Sequence, residues 1–284
     1  MTGTAHPEFS VITPSFNMLG YLQRCAASVG DQVGPPHEHL VVDGGSSDGT
    51  VEWLGARSSI TSIVGRDAGM YDAINKGLRA SSGAIVSYLS CDEQYLPGTL
   101  DFVGAYFGAH PEVDVVFGDT LVTRPDGSLL CFRKAYAPIW PFIATSDLYN
   151  FPSSMFLRRR VIEDGQFFDA SFKDVGDAEF IIRLLRKGYR MSTVRRYLST
   201  FTLTGSNRSQ NPAVRAEGER LGRMMPVWVY RSRVPLNVVR LLFKLASGAY
   251  FELPPLRYSI YLSAADNRRT VLETRTPSPR WRLA

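Results

Sequence analysis

Ser87-Tyr88-Leu89-Ser90-Cys91-Asp92-Glu93 reads as a buried strand that stops abruptly on two adjacent carboxylates. A second apolar run, His39-Leu40-Val41-Val42, ends in the same way on Asp43. In open α/β sheets the crevice outside the carboxyl ends of the strands is where ligands bind, so acids that close buried strands are placed for chemistry rather than for packing. The elements around these two runs alternate. Phe9 to Thr13 is a strand closed by Pro14, Tyr21 to Val29 a short helix, Ile60 to Val64 a third strand, Met70 to Ala80 a helix, and Ala84 to Leu89 a fourth strand. Successive βα units of this kind predict a mainly parallel, Rossmann-like sheet.

After Pro97 the alternation loosens. A helix pattern runs from Thr99 to Phe107, a strand from Val113 to Phe117, and hairpin strands flank Pro125-Asp126-Gly127. A late helix from about Asp177 to Arg186 carries Phe180, Ile181, Leu184 and Leu185 on one face and ends at Gly188. The polar stretch Ser206 to Pro212 marks a boundary. It divides a globular part, 1–212, with a nucleotide-binding half at about 1–95 and an acceptor half at 96–212, from a basic, partly amphipathic helical extension, 213–284.

Of the formal net charge of +5, residues 226–284 carry +7 and the first 225 carry −2. A near-neutral body with a basic tail implies an anionic surface as the tail's partner, for which nucleic acid and anionic lipid both qualify on charge alone; of the two a membrane surface is expected and a nucleic acid is not. In the tail Arg233, Asn237, Arg240 and Lys244 recur at helical spacing, while Leu236, Val239, Leu242, Phe243 and Ala246 fall largely on another face. That pattern fits either a helix in a membrane interface, with Arg and Lys toward the headgroups, or a helix docked on the core. Cys25, Cys91 and Cys131 have neither paired nor metal-ligand spacing, which suits a reducing compartment. With no signal-peptide pattern at Met1 to Phe9 and no apolar window of spanning length, a cytoplasmic or peripheral protein is expected. His37 and His39, flanking Glu38, read as a solvated loop rather than a metal site.

Four segments in order, Ile12-Thr13-Pro14-Ser15-Phe16-Asn17, Val42 to Thr50 (VDGGSSDGT), Asp67 to Gly77 (DAGMYDAINKG) and Ser90-Cys91-Asp92-Glu93, make the chain resemble the family 2 inverting glycosyltransferases. The likeness is to the bacterial members that build O-antigens, capsules and exopolysaccharides, and it covers roughly Phe9 to Ser206. It implies a GT-A fold: a mixed, Rossmann-like sheet flanked by helices. It also implies a nucleotide-sugar donor, UDP-linked, held by Thr13, Pro14, Asn17, Asp43, Arg66, Asp67 and Asp92. Asp43 would accept a hydrogen bond from uracil, although a carboxylate there also serves simply to cap the turn at Gly44. Asp92 and Glu93 stand at the family's Asp-x-Asp position, with Glu93 where an Asp is usual, and would hold Mg²⁺ or Mn²⁺ against the donor diphosphate.

By the same resemblance Asp177 would be the general base that takes the acceptor hydroxyl's proton, with Asp174 and Glu179 as alternatives and Gly176 in place of a common acid. Phe151 and Pro152 replace a His-Gln pair near the acceptor. Asn207 and Arg208 would lie on a loop able to close over the diphosphate. The acceptor would be a lipid-linked glycan or oligosaccharide. Rival readings are a sugar nucleotidyltransferase, which would need a Gly-rich basic loop after the first strand, and a degenerate member that only binds a glycan or scaffolds an assembly.

Overall fold

The computed structural model describes residues 8–146, 148–205 and 213–280. Its first half is built from β1 (Phe9–Ser15), α1 (Leu19–Gly30), β2 (His37–Asp43), α2 (Thr50–Gly55), β3 (Thr61–Val64), α3 (Met70–Ala80) and β4 (Ile85–Tyr88). β5 (Glu93–Tyr95), α4 (Thr99–Ala109), β6 (Val115–Thr123), β7 (Leu129–Arg133), α5 (Trp140–Thr145), β8 (Met155–Arg158), α6 (Arg159–Glu163), α7 (Gly176–Arg186) and β9 (Met191–Thr202) follow. One nine-stranded sheet has the order β3-β2-β1-β4-β8-β6-β9-β5, with β7 paired to β6. β3, β2, β1 and β4 run parallel, and β8 enters antiparallel between β4 and β6. The βα alternation therefore produces the parallel half, and the loosened second half produces the mixed one.

The core lies on both faces of this sheet. Ile12, Val42, Ile74, Leu78 and Val86 meet Phe172, Phe180, Ile181 and Leu184 of the α7 region on one side. Phe9, Val11, Val29, Leu100, Val103 and Phe156 close the other. At Gly77 of α3 a Cβ would stand 2.4 Å from Ile12 Cγ2, so only glycine lets this helix lie so close to β1. Because β1, β2 and β4 are parallel and in register, with Ser15 beside Asp43 and Ile12 beside Tyr88, their carboxyl ends open on one edge.

The C-terminal segment is helical only in its first part: α8 (Ala213–Arg223), α9 (Val227–Arg231) and α10 (Arg233–Ala246). From Leu256 it becomes a hairpin, β10 (Leu256–Ile260) and β11 (Thr270–Thr274), which corrects the expectation of a helical extension. Leu256, Tyr258 and Ile260 share a core with Leu96, Leu121 and Phe132. Arg269 binds both oxygens of Asp31 at 2.6 and 2.7 Å. His39 also departs from expectation: it is buried within β2 and bonded to Thr13 Oγ1 at 2.8 Å. Burial lowers its pKa to about 3, so it is a neutral core residue.

Candidate active site

Three loops meet at the carboxyl edge. The β1–α1 loop lies in the middle, with Asn17 in the left-handed region at φ 50°. Its Oδ1 accepts the Ser47 N–H at 2.8 Å, and its own N–H donates to Ser46 Oγ at 2.7 Å, which staples it to the β2–α2 loop. Asp48 adds a second staple by accepting the Leu19 N–H at the start of α1 and the Thr50 hydroxyl. On the other side Cys91 packs with Met18, joining the β4–β5 loop to the same centre. Asp43 at the end of β2 therefore lies on one side of this loop, and on the other lies the turn carrying Asp92, which sits between β4 and β5 rather than closing β4 as the sequence suggests, since β4 ends at Tyr88.

Asp43 proves to be the organiser of its own turn. Its oxygens accept Gly45 N–H at 3.0 Å, Ser46 N–H at 2.7 Å and Ser46 Oγ–H at 2.7 Å, and the residue is 0% exposed. Thr13 is likewise 0% exposed and committed to His39, and Pro14 is buried beside it, so neither side chain lines the crevice. The exposed residues of that loop are Asn17, expected from the sequence, and Phe16, which the sequence motifs do not single out. A large apolar residue directly after a strand terminator was the available signal. Asp67 is half-buried: Oδ1 accepts the Gly69 N–H at 2.8 Å, and a Cβ on Gly44 would lie 3.0 Å from Oδ2 and 3.2 Å from the Phe16 ring. Phe16, Gly44 and Asp67 thus border one slot. Arg66 is exposed beside it, with its carbonyl accepting Lys76 Nζ at 2.9 Å.

The structure separates Asp92 from Glu93. Glu93 begins β5, is 5% exposed, and accepts the Ser90 N–H at 2.7 Å, with Ser90 and Ser153 hydroxyls also bonding it. Burial, and after it the neighbouring Asp92 charge, push its carboxyl well above the usual range. A carboxyl held this way favours its neutral form and braces the turn, so as found it is no outward ligand. Asp92 is half-buried at the tip. Among the described residues no group of three or more His, Cys, Asp or Glu forms a metal cage. The oxygen chemistry of Asp92 nevertheless fits Mg²⁺ or Mn²⁺, which commonly take one or two carboxylates and complete their shells with water and phosphate oxygens.

Asp177 occupies the first turn of α7. Burial raises its pKa to about 6, while hydrogen bonds from the Ala178 N–H at 2.8 Å and from Tyr71 pull it back down. The Tyr71 oxygen also accepts the Asp177 N–H at 3.1 Å. Tyr71 stacks on Phe168 at 5.5 Å, and Phe168 on Phe180 at 4.2 Å. A Cβ on Gly176 would come within 2.7 Å of the Tyr71 ring, which explains why no acid precedes Asp177 here. The motif around Tyr71 is a clamp: Asn75 exchanges two hydrogen bonds with the Phe168 backbone, and Asp72 accepts the Ala68 N–H.

A further support comes from beyond the sequence motifs. Glu217 of α8 accepts the N–H groups of Lys173 at 2.7 Å, Asp174 at 2.8 Å and Val175 at 3.1 Å. Glu179, the other alternative to Asp177, is buried and paired with Arg183 at 2.8 Å. Asn207 and Arg208 lie outside the described residues.

Residues 10–165 match the pattern of Glycosyl transferase family 2, and the chain belongs to that family. Membership sets aside the nucleotidyltransferase reading. A PGL/p-HBAD biosynthesis glycosyltransferase of Mycobacterium bovis is 35% identical over 128 residues, 42% of this chain and 48% of that protein. The chain thus matches about half the length of that relative. In fold, the chain resembles S. aureus TarS 1-349 in complex with UDP-GlcNAc, with a TM-score of 0.59 and 18% identity over 84% of this chain and 73% of the other. It also resembles the mannosyltransferase PcManGT from Pyrobaculum calidifontis in complex with GDP-Man and Mn²⁺, with a TM-score of 0.59 and 18% identity over 88% and 78%. The expected GT-A, Rossmann-like architecture is the one found.

Proposed function

We propose that this glycosyltransferase is inverting and cation-dependent, and that it moves a sugar from a UDP-linked donor to a hydroxyl of a lipid-linked or oligosaccharide acceptor. The observation that carries the reading is the Asp177 carboxyl at the first turn of α7, raised to about 6 by burial and bonded to Tyr71. A base with that affinity is ionised at neutral pH yet basic enough to take a hydroxyl proton as the bond to the anomeric carbon forms. Phe16 offers a flat apolar face for the base and Asp67 an acceptor for its N–H. Asp43, buried with its oxygens bonded to Gly45 and Ser46, serves the site by shaping the β2–α2 turn, and Asp67 is the acceptor for the single imide N–H of uracil.

Mg²⁺ or Mn²⁺ held by Asp92 would neutralise charge on the departing diphosphate. Glu93 keeps the Asp92 turn in place. Relatives in fold that bind UDP-GlcNAc, or GDP-Man with Mn²⁺, support a nucleotide sugar and a cation. The relative named for PGL/p-HBAD biosynthesis is compatible with a lipid-linked acceptor.

The test is a binding and turnover panel of nucleotide sugars with and without Mn²⁺. Asp92→Ala should remove the Mn²⁺-dependent part of donor binding. Asp177→Asn should bind donor as wild type does but lose transfer about 10²- to 10⁴-fold, the usual worth of a general base. Undiminished turnover by Asp177→Asn overturns the assignment.

A further inference from the structure

α10 is docked inside out. Its polar side faces the protein: Asn237 Nδ2 donates to the Thr145 carbonyl at 3.0 Å, Arg240 reaches Tyr136 Oη at 3.4 Å, and Lys244 lies over the Tyr250 ring at 4.5 Å. Burial, with Arg133 and Arg240 nearby, lowers Lys244 to about 8, as expected for a cation turned inward. Val234, Val238, Leu241, Leu242 and Leu245, spaced as one helical stripe, are 46–74% exposed instead. No residue of α10 is buried. The apolar surface continues through Val227, Trp228 and Tyr230 of α9 and Met224 at the end of α8, all exposed. An apolar patch of that extent on a soluble surface marks an interaction site.

Charge says what covers it. Residues 213–251 hold seven Arg or Lys against Glu217 and Glu219; Arg240 and Lys244 turn toward the protein and Arg220 bonds Ser171, but there is no Asp or Glu from Val227 to Phe251. Arg231 and Arg233 are exposed at the corner between α9 and α10. Glu217 is turned into the 173–175 loop. A second copy docked face to face through this surface would bring the same cations together, whereas anionic headgroups beside an apolar layer complement both features.

We infer that the α9–α10 surface seats the protein on an anionic lipid bilayer, with the Val234–Leu245 stripe in the interface and Arg231 and Arg233 at the headgroups. The docking does not depend on the transfer reading. If that reading holds, it has a consequence: α10 packs on α5 and α5 on α7, so two helices, α10 and α5, separate the bilayer from the helix that carries Asp177. An acceptor anchored in lipid would then present its glycan to the crevice without leaving the membrane.

The experiment is flotation of the full chain with vesicles of phosphatidylglycerol and phosphatidylcholine, compared with phosphatidylcholine alone, at low and high salt and without substrate. Wild type should bind the anionic vesicles and be released by salt. Leu241→Glu/Leu245→Glu should lower partitioning at least tenfold with an unchanged melting temperature, because both side chains are already exposed. Arg231→Gln/Arg233→Gln, which removes no apolar contact, should lower only the phosphatidylglycerol-dependent part. Three outcomes overturn the proposal: wild type leaves anionic vesicles unbound, the leucine variant binds as well as wild type, or wild type is a dimer that the leucine variant makes monomeric.

Discussion

Two carboxyls in the crevice are pushed up by burial, but their surroundings give them different work. Glu93 is closed off by Ser90 and Ser153, whereas Asp177 keeps partial exposure and a phenol that bonds its charged form. If Asp177 is the base it must be ionised to act, so transfer should be low in acid and rise through an apparent pKa of about 6 to a plateau. Tyr71→Phe keeps the ring that packs on Gly176 but removes the hydroxyl. A hydrogen bond worth about 0.5–1.5 kcal/mol corresponds to roughly 0.5–1 pKa unit. The acid limb should therefore move up by that amount while the plateau changes less, as read from kcat across pH 5–8. An unmoved limb would separate Tyr71 from the titrating group.

At the scale of elements, α8 holds the loop before Asp177 from outside the motif-bearing region. Glu217→Ala would leave the N–H groups of Lys173, Asp174 and Val175 without their carboxylate and free the entry to α7. Loss of such charge-assisted bonds costs about 1–3 kcal/mol. Because the donor loops are not touched, kcat should fall while donor affinity, measured by calorimetry, stays near wild type; Glu217→Gln should be intermediate. The sequence made α3 legible to the residue, Met70–Ala80, since its apolar positions recur at helical spacing. It did not reveal β9, because register shifts opposite Phe117 to Thr120 give that strand extra residues and break its alternation at Arg195-Arg196. The order of the site motifs was legible, but the roles of Thr13, Asp43 and Glu93 were not. What decides them is where each side chain's hydrogen bonds go: Ser46 reaches Asp43 through a local turn, whereas His39 and Ser153 are brought to Thr13 and Glu93 by the fold alone.

For the whole molecule the same distinction applies to the C-terminal segment, where composition marked a basic tail but long-range packing sets its role. Arg269 reaches Asp31 and the Tyr95 carbonyl, Gln94 and Tyr261 exchange two hydrogen bonds, and Phe132 donates its N–H to the Ser278 carbonyl. These ties cross from β10–β11 to α1, β5 and β7. The hairpin therefore completes the core that Leu96, Leu121 and Phe132 begin. Burying Leu256 and Ile260 contributes about 1.5–3 kcal/mol each, and Tyr258 adds its ring and a bond to the Gly127 carbonyl at 2.7 Å. Removing residues 251–284 should then cost on the order of 5 kcal/mol or more, a large share of the 5–15 kcal/mol typical of a folded domain. Thermal unfolding should show a lowered midpoint with exposed apolar surface detected by dye binding. A truncated chain that melts like the full one would make 251–284 an appendage after all. Arg269→Ala alone is the milder version: it breaks the Asp31 tie while leaving the hairpin's apolar face, so its midpoint should fall between the two.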